Sequence, residues 1–480
     1  LPYDVVVERL HIEEPEPPAP VTEPEKTFEE VLDEHPVSIQ VNGQWQTFPN
    51  AKAAEEASYE EYKANLRRNA KNFRITDEHL GEGGPKAKFQ ANVNAIRLLK
   101  ELEAAGQQAS PEQQEVLSRY VGWGGLSDAF EPEKPVWALE YAQLKELLTP
   151  EEYAAARSST LNAHYTSPTV IQAIYEAVGR MGFETGNILE PSMGVGNFFG
   201  MLPEEMRNSR LYGVELDPVS GRIAKQLYPK ADITVGGFET TDRRDFFDLA
   251  IGNVPFGQYQ VNDKVYNKLN FNIHNYFFAK ALDQVRPGGV VAFVTSRYTM
   301  DAKDSTVRRY LAQRAELLGT IRLPNDAFKK NAGAEVVSDI IFLQKRDRPL
   351  DIVPEWTQTG QTEDGFAINR YFIDHPEMVL GRQEPVSTAH GMDYTVNPIE
   401  GLELSDQLHD AVKYIHGTYQ EAELPELGEG EAIDTSIPAD PNVKNYSYAI
   451  VDGQVYYREN SRMVRPDLNA TAEARVKGLV

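Results

Sequence analysis

The chain has 480 residues, 41% of them apolar and 10% aromatic, enough for two to four folded units with sizeable cores. No stretch approaches the roughly 20 apolar residues of a membrane span, Leu1-Pro2-Tyr3-Asp4 lacks the basic and apolar regions of a signal peptide, and the absence of Cys excludes disulfides and thiolate metal sites. A formal charge of -25 speaks against a polyanionic partner for the whole chain, yet residues 161–348 hold 23 Lys plus Arg against 21 Asp plus Glu, so the acid sits in the flanks and the central block is near neutral. A soluble, cytoplasmic protein is expected, without a membrane partner. No structural metal is expected either, because the nine His show no ligand spacing.

Residues 1–35 are acidic and proline-rich, as in Glu13-Glu14-Pro15-Glu16-Pro17-Pro18-Ala19-Pro20, and read as an extended linker. The chain opens on Leu rather than Met and is read as a piece of something longer. Residues 36–159 begin with a hairpin, Val37 to Val41 and Gln44 to Phe48 around Asn42-Gly43. Helical patterns follow at 51–69 and from Phe89 to Ala105, and two more helices open at Ser110-Pro111-Glu112 and Thr149-Pro150-Glu151-Glu152 with a capping residue before proline. Between these lies Tyr120-Val121-Gly122-Trp123-Gly124-Gly125-Leu126, read first as a packing corner around a docked Trp and second as a ligand contact.

From residue 160 to 348 short apolar strands alternate with helices, which predicts an α/β, Rossmann-like parallel sheet of seven strands. The strands are expected at Gly186 to Leu189, Arg210 to Val214, Ile233 to Val235, Phe247 to Ile251, Val290 to Thr295, Leu317 to Arg322 and Ser338 to Gln344. Helices are expected at 168–181, 197–207, 218–227, 274–286 and 303–315. Residues 349–480 read as a mixed α+β extension, with an acidic stretch from Glu400 to Asp434 and a hairpin around Asp452-Gly453.

Four stretches carry chemistry. The first strand of the block runs into Glu190-Pro191-Ser192-Met193-Gly194-Val195-Gly196-Asn197-Phe198, a Gly-x-Gly strand-to-helix turn that lets backbone approach a nucleoside. It lacks the third glycine of the dinucleotide fingerprint, which disfavours a nicotinamide enzyme. The second strand ends in Glu215-Leu216-Asp217: Glu215 stands where a ribose diol is held, and Asp217 reads as a helix cap. At the fourth strand's tip, Asn253-Val254-Pro255-Phe256 offers an amide, a carbonyl, a rigid turn and a ring to a flat heterocycle bearing an amino group. Taken alone, it is also an ordinary polar turn.

In this order the set resembles the S-adenosylmethionine-dependent DNA amino-methyltransferases of the gamma arrangement. Their first cofactor motif is similar to Ala163-His164-Tyr165-Thr166-Ser167-Pro168, with Tyr165, Thr166 and Pro168 at the methionine end of the cofactor. The resemblance implies cofactor contacts from Glu190, Pro191, Ser192, Gly194, Gly196, Asn197, Phe198, Glu215, Leu216 and Phe238, and catalysis by Asn253, Val254, Pro255 and Phe256. Pro287-Gly288-Gly289 completes the order. Two positions depart from the pattern. Gly236-Gly237-Phe238 keeps an aromatic but lacks the acid that usually precedes it to grip the cofactor's adenine, leaving backbone groups or Glu239 for that task. Val254 replaces a proline used only through its carbonyl, which should be tolerated. Gly83-Gly84-Pro85-Lys86, the Tyr120 to Leu126 corner and His375-Pro376-Glu377-Met378-Val379-Leu380-Gly381 resemble large methyltransferase-helicase proteins of phages and conjugative elements, which implies a helicase region of the SNF2 type in the full-length chain.

The activity so implied is methyl transfer to adenine N6 in DNA, with the target base flipped out at a few kcal/mol and stacked on Phe256 for about 1–3 kcal/mol. The loop from Gly257 to Asn270 reads either as a holder of the DNA strand or as a solvated connection, and Phe328 either as an opposite ring wall or as core. Alternatives are transfer to cytosine N4, transfer to a glutamine amide in protein, and a degenerate cofactor-binding or DNA-docking module.

Overall fold

Seven apolar runs separated by helices must pair with one another to satisfy their backbone groups, and in the computed structural model they form one twisted sheet. The structure describes the chain from residue 36, except for 42, 59–69, 78, 161–164, 329–335, 389–390, 422–435, 441–442, 444–446, 460–461, 467, 469 and 480. It divides into two compact units, residues 1–71 with 102–108, and residues 72–101 with 109–480. In the first, Val37–Val41 pairs antiparallel with Gln44–Phe48 as expected, and Val37, Ile39 and Val41 bury their shared face against Ala54 of the 51–58 helix. The remainder of the expected 51–69 helix, 59–69, lies outside the described residues, as does Asn42 of the turn.

In the second unit the strands are β1 (Asn187–Glu190), β2 (Arg210–Glu215), β3 (Asp232–Val235), β4 (Phe247–Asn253), β5 (Val285–Ser296), β6 (Ala315–Arg322) and β7 (Ser338–Lys345), in the order β3-β2-β1-β4-β5-β7-β6. The order reverses between β1 and β4, so their carboxyl ends flank the crevice where an open sheet of this kind takes ligands. The expectation of an all-parallel sheet is corrected at one place. β7 inserts antiparallel between β5 and β6, a direction that an apolar run does not encode. In β1, β4 and β5 the residues Ile188, Leu189, Ala250, Ile251, Val291 and Phe293 are at most 1% exposed, as strands covered on both faces must be.

The helices α1 (Pro168–Arg180), α2 (Asn197–Gly200), α3 (Pro218–Leu227), α4 (Ile273–Gln284) and α5 (Thr306–Arg314) cover the sheet. Pro lies at the first turn of α1 and α3, where its missing N–H costs nothing. The helix expected at 197–207 stops at Gly200, because Pro203 interrupts it and only a short 3-10 turn, Glu204–Met206, follows. Upstream, Ser110 and Thr149 close capping boxes on the helices Pro111–Ser118 and Pro150–Ser159. Beyond the sheet, the chain is tied back to it by buried charge. Arg322 of β6, fully buried, forms two 2.8 Å bonds to Asp339 of β7 and one of 2.7 Å to Asp301, and Tyr394 of the hairpin Arg382–Thr388/Gly391–Asn397 bonds to both Arg322 and Asp301. The expected hairpin around Asp452-Gly453 forms, with Tyr448–Val451 paired to Gln454–Glu459.

Candidate active site

β1 ends at Glu190, and the chain then turns through two glycines in left-handed conformation, Gly194 (φ 56) and Gly196 (φ 86). At Gly196 a Cβ would fall 2.5 Å from the Tyr228 ring, so glycine is required there twice over. The turn hangs on β2: Met193 N–H donates to Val214 O at 3.0 Å and Gly194 N–H to Glu215 Oε2 at 2.7 Å. Glu215 Oε1 accepts from the Asp217 N–H at 2.7 Å and the Leu216 N–H also bonds the carboxylate, whose remaining lone pairs are open to a hydroxyl. Burial, then the charge of Asp217, pushes the Glu215 carboxyl up to about 7. Asp217 caps α3 through Ser220 N–H at 2.7 Å.

Glu190 is 2% exposed, and its Oε2 is buried without a hydrogen-bond partner. Burial, reinforced by Glu215, holds its carboxyl well above the ordinary range. Such an atom on a cavity wall awaits a ligand donor. Beside it, Gly252 of β4 has a φ of 151, a conformation that L side chains rarely adopt, and a Cβ there would meet Glu190 Cγ at an ordinary 3.4 Å. Asn253 closes β4 with its amide oxygen buried, and Val254 N–H donates to Val294 O at 3.1 Å, fixing the tetrapeptide to β5.

One cavity of about 610 Å³, of a size for a nucleoside-bearing ligand, joins these features. Glu190, Pro191, Ser192 and Gly194 line it with Asn197 and Phe198; so do Tyr165 and Thr166, Glu215 and Leu216, Phe238, and the catalytic candidates Asn253, Val254 and Pro255. Pro168, Gly196 and Phe256 do not reach it: Pro168 starts α1, Gly196 shapes the turn, and Phe256 lies outside the wall. Phe328 is 1% exposed and absent from the wall, which settles it as core.

Several wall residues were not among the residues predicted for the site. Tyr120 and Gly122 belong to the glycine corner, whose Trp123 is buried edge-on to Phe130 (5.3 Å) and Phe89 (6.0 Å), so the corner both packs and faces the cavity. A Cβ on Gly122 would fall 2.7 Å from the Tyr165 ring. Ser158 and Ser159 come from the end of the Pro150–Ser159 helix, and Tyr259 from the loop after the tetrapeptide. That loop is built in: Asp263 pairs with Lys280 of α4 at 2.8 Å, both buried, and accepts from Tyr276 Oη at 2.9 Å. His274 of α4 is buried and hydrogen-bonded to the Gly257 backbone; burial pushes its pKa down to about 4, leaving it neutral.

Residues 225–328 match the family model of the Eco57I restriction-modification methylases. Over 272 residues the chain is 27% identical to the defense against restriction protein B of Escherichia phage P1, a match covering 55% of this chain and 10% of that protein. Over 92 residues it is 39% identical to the type II methyltransferase M.CvrRI of Paramecium bursaria Chlorella virus XZ-6E, covering 19% of this chain and 24% of the relative. The chain therefore spans a quarter or less of the length of either relative. Among solved structures, the M protein of the type I restriction enzyme EcoKI aligns over 56% of this chain and 65% of its own, at 16% identity and a TM-score of 0.31. The family likeness of the chain is thus to the Eco57I restriction-modification methylases, and it spans residues 225–328.

Proposed function

We propose that this protein transfers a methyl group from S-adenosylmethionine to the exocyclic N6 of adenine in DNA. The observation that carries the reading is that Asn253, Val254 and Pro255 line the same cavity as Glu190, Gly194 and Glu215. The donor set fits the cofactor. The orphaned Glu190 Oε2 suits a cationic or hydroxyl donor, the Gly194 to Gly196 turn leaves room for close approach, and Glu215 has lone pairs for a ribose diol. S-Adenosylmethionine supplies, when bound, an electrophilic methyl on a sulfonium.

The chain's own residues then have to make a poor nucleophile competent. An adenine amine shares its lone pair with the ring. Accepting one of its N–H groups on the Asn253 side-chain oxygen and the other on the Val254 carbonyl favours a pyramidal nitrogen with its lone pair directed outward. Pro255 and the Val254 N–H bond to Val294 hold both acceptors still, so positioning supplies most of the acceleration. Tyr259, half-exposed on the cavity wall, offers a ring face to the flipped base, and the loop anchored by Asp263 and Lys280 keeps it there. DNA and, in the full-length protein, a helicase region are the partners of this reading. The phage relative, about ten times longer than its matched segment, supports a longer parent chain.

Incubation with duplex DNA of mixed sequence and labelled cofactor, followed by nucleoside mass spectrometry, tests the assignment. N6-methyladenine is expected; label found only in N4-methylcytosine would transfer the reading to cytosine, for which the same tetrapeptide serves.

A further inference from the structure

β5 outruns its neighbour at the edge of the sheet that carries the site. Asn253, the last residue of β4, pairs with Val294, so Thr295 and Ser296 continue past the level of the tetrapeptide's first residue. The chain then turns into the one-turn helix Tyr298–Asp301. That helix packs on an element of the cavity wall: Thr299 Oγ1 donates to Asn275 Oδ1 at 3.1 Å, and Asn275 lies in α4 between the wall residues Ile273 and Phe277. Tyr298 therefore stands beside the cavity rather than in it, and it is 50% exposed.

Although exposed, this ring is held. The buried Arg297 guanidinium lies over the Tyr298 ring and over the Tyr394 ring, 4.5 Å from each centroid. Its Nη2 donates to Tyr298 Oη at 3.0 Å, and the same hydroxyl donates to Asp393 Oδ2 at 3.2 Å. Arg297 also bonds to Asp393 and Asp301. Asp393 and Tyr394 belong to the hairpin Arg382–Thr388/Gly391–Asn397, which Asn325 pins in turn: its N–H donates to Val396 O at 2.7 Å, and its Nδ2 donates to Thr395 Oγ1 and Asn397 Oδ1 at 3.0 Å each. With a guanidinium over the ring and the hydroxyl tied at two points, the rest of the Tyr298 ring is an ordered apolar plane open to solvent. A plane ordered in advance gives up little conformational freedom when something stacks on it. Nothing in the methyl transfer itself uses this ring.

The place of the ring names its partner. A duplex that delivers a base into the cavity keeps a gap in its stack outside the mouth, and the bases bordering that gap present bare π faces. We propose that Tyr298 stacks on a base bordering the gap and so holds the duplex open while the target occupies the cavity. This rests on the DNA reading above. The test is the KM for duplex DNA of mixed sequence at saturating S-adenosylmethionine, measured beside the affinity for S-adenosylhomocysteine, in wild type, Tyr298→Ala and Tyr298→Phe. Tyr298→Ala should raise the KM for DNA by about tenfold, as loss of one base–aromatic stack does, and leave cofactor affinity unchanged. Tyr298→Phe keeps the ring and loses both hydroxyl bonds, and should keep most of the wild-type affinity for DNA. An equal rise in KM in both variants would assign Tyr298 to tying the hairpin through its hydroxyl and overturn the inference. So would an unchanged KM in Tyr298→Ala, or a parallel loss of cofactor affinity there. A wild-type protein that binds the cofactor but neither binds nor methylates DNA would overturn the DNA reading and this inference with it.

Discussion

Two buried carboxylates, Glu190 and Glu215, face one cavity, and their raised pKa values follow from that burial and from the acids beside them. Glu215 titrates near 7 in the folded chain and at the ordinary 4.5 when unfolded, so the folded state holds the extra proton between these values. Stability of the ligand-free protein should therefore fall as pH rises from about 4.5 to about 7 and level off above. Cofactor affinity should move the opposite way, rising toward pH 7 as the carboxylate becomes available to the diol. Glu215→Gln is expected to flatten the Glu215 part of the stability profile and to weaken cofactor binding at neutral pH. Thermal unfolding and calorimetry across pH 5–8 check both signs. Glu190, Glu215 and Asn253 were legible because each sits at a strand tip within a short local pattern. The N–H of Val254 was not: it donates to Val294 O, a bond that a proline there would lose.

At the scale of elements, strand positions were readable to within about two residues, apart from the early start of β5 at Val285, because apolar runs bounded by turns mark them. Strand direction was not, since β7 has the same composition whichever way it runs. The loop after the tetrapeptide was ambiguous for a different reason: Asp263 and Lys280 are 17 residues apart, and nothing local shows that they meet. Their pairing in a buried setting makes the loop a fixed wall. Lys280→Met should cost about 3–5 kcal/mol by stranding a buried carboxylate, and adding Asp263→Leu should recover part of it. Denaturant unfolding of the two single variants and the double variant measures the coupling, and additive losses would mean that the pair does not anchor the loop.

For the second unit as a whole, the cavity is not contained in residues 160–348. Tyr120, Gly122, Ser158 and Ser159 close one side of it, from a helix end and from a corner that the sequence marked first as packing and second as a ligand contact. Gly122→Ala, with φ 69 and a Cβ 2.7 Å from Tyr165, should displace that ring into the cavity and weaken cofactor binding several-fold, while the sheet stays folded by circular dichroism. Unchanged affinity would mean that the corner only packs. Most of the cavity wall comes from the near-neutral block 161–348, whereas the acidic excess lies in the flanks, so the net charge of -25 does not bear directly on the proposed DNA substrate.

The most direct measurement pairs cofactor binding with methyl transfer in Asn253→Ala. A single cavity with separate cofactor and target-base ends predicts cofactor affinity within about twofold of wild type and no detectable methylated nucleoside. Methylation persisting at the wild-type rate in that variant would contradict the assignment of Asn253 to the chemistry.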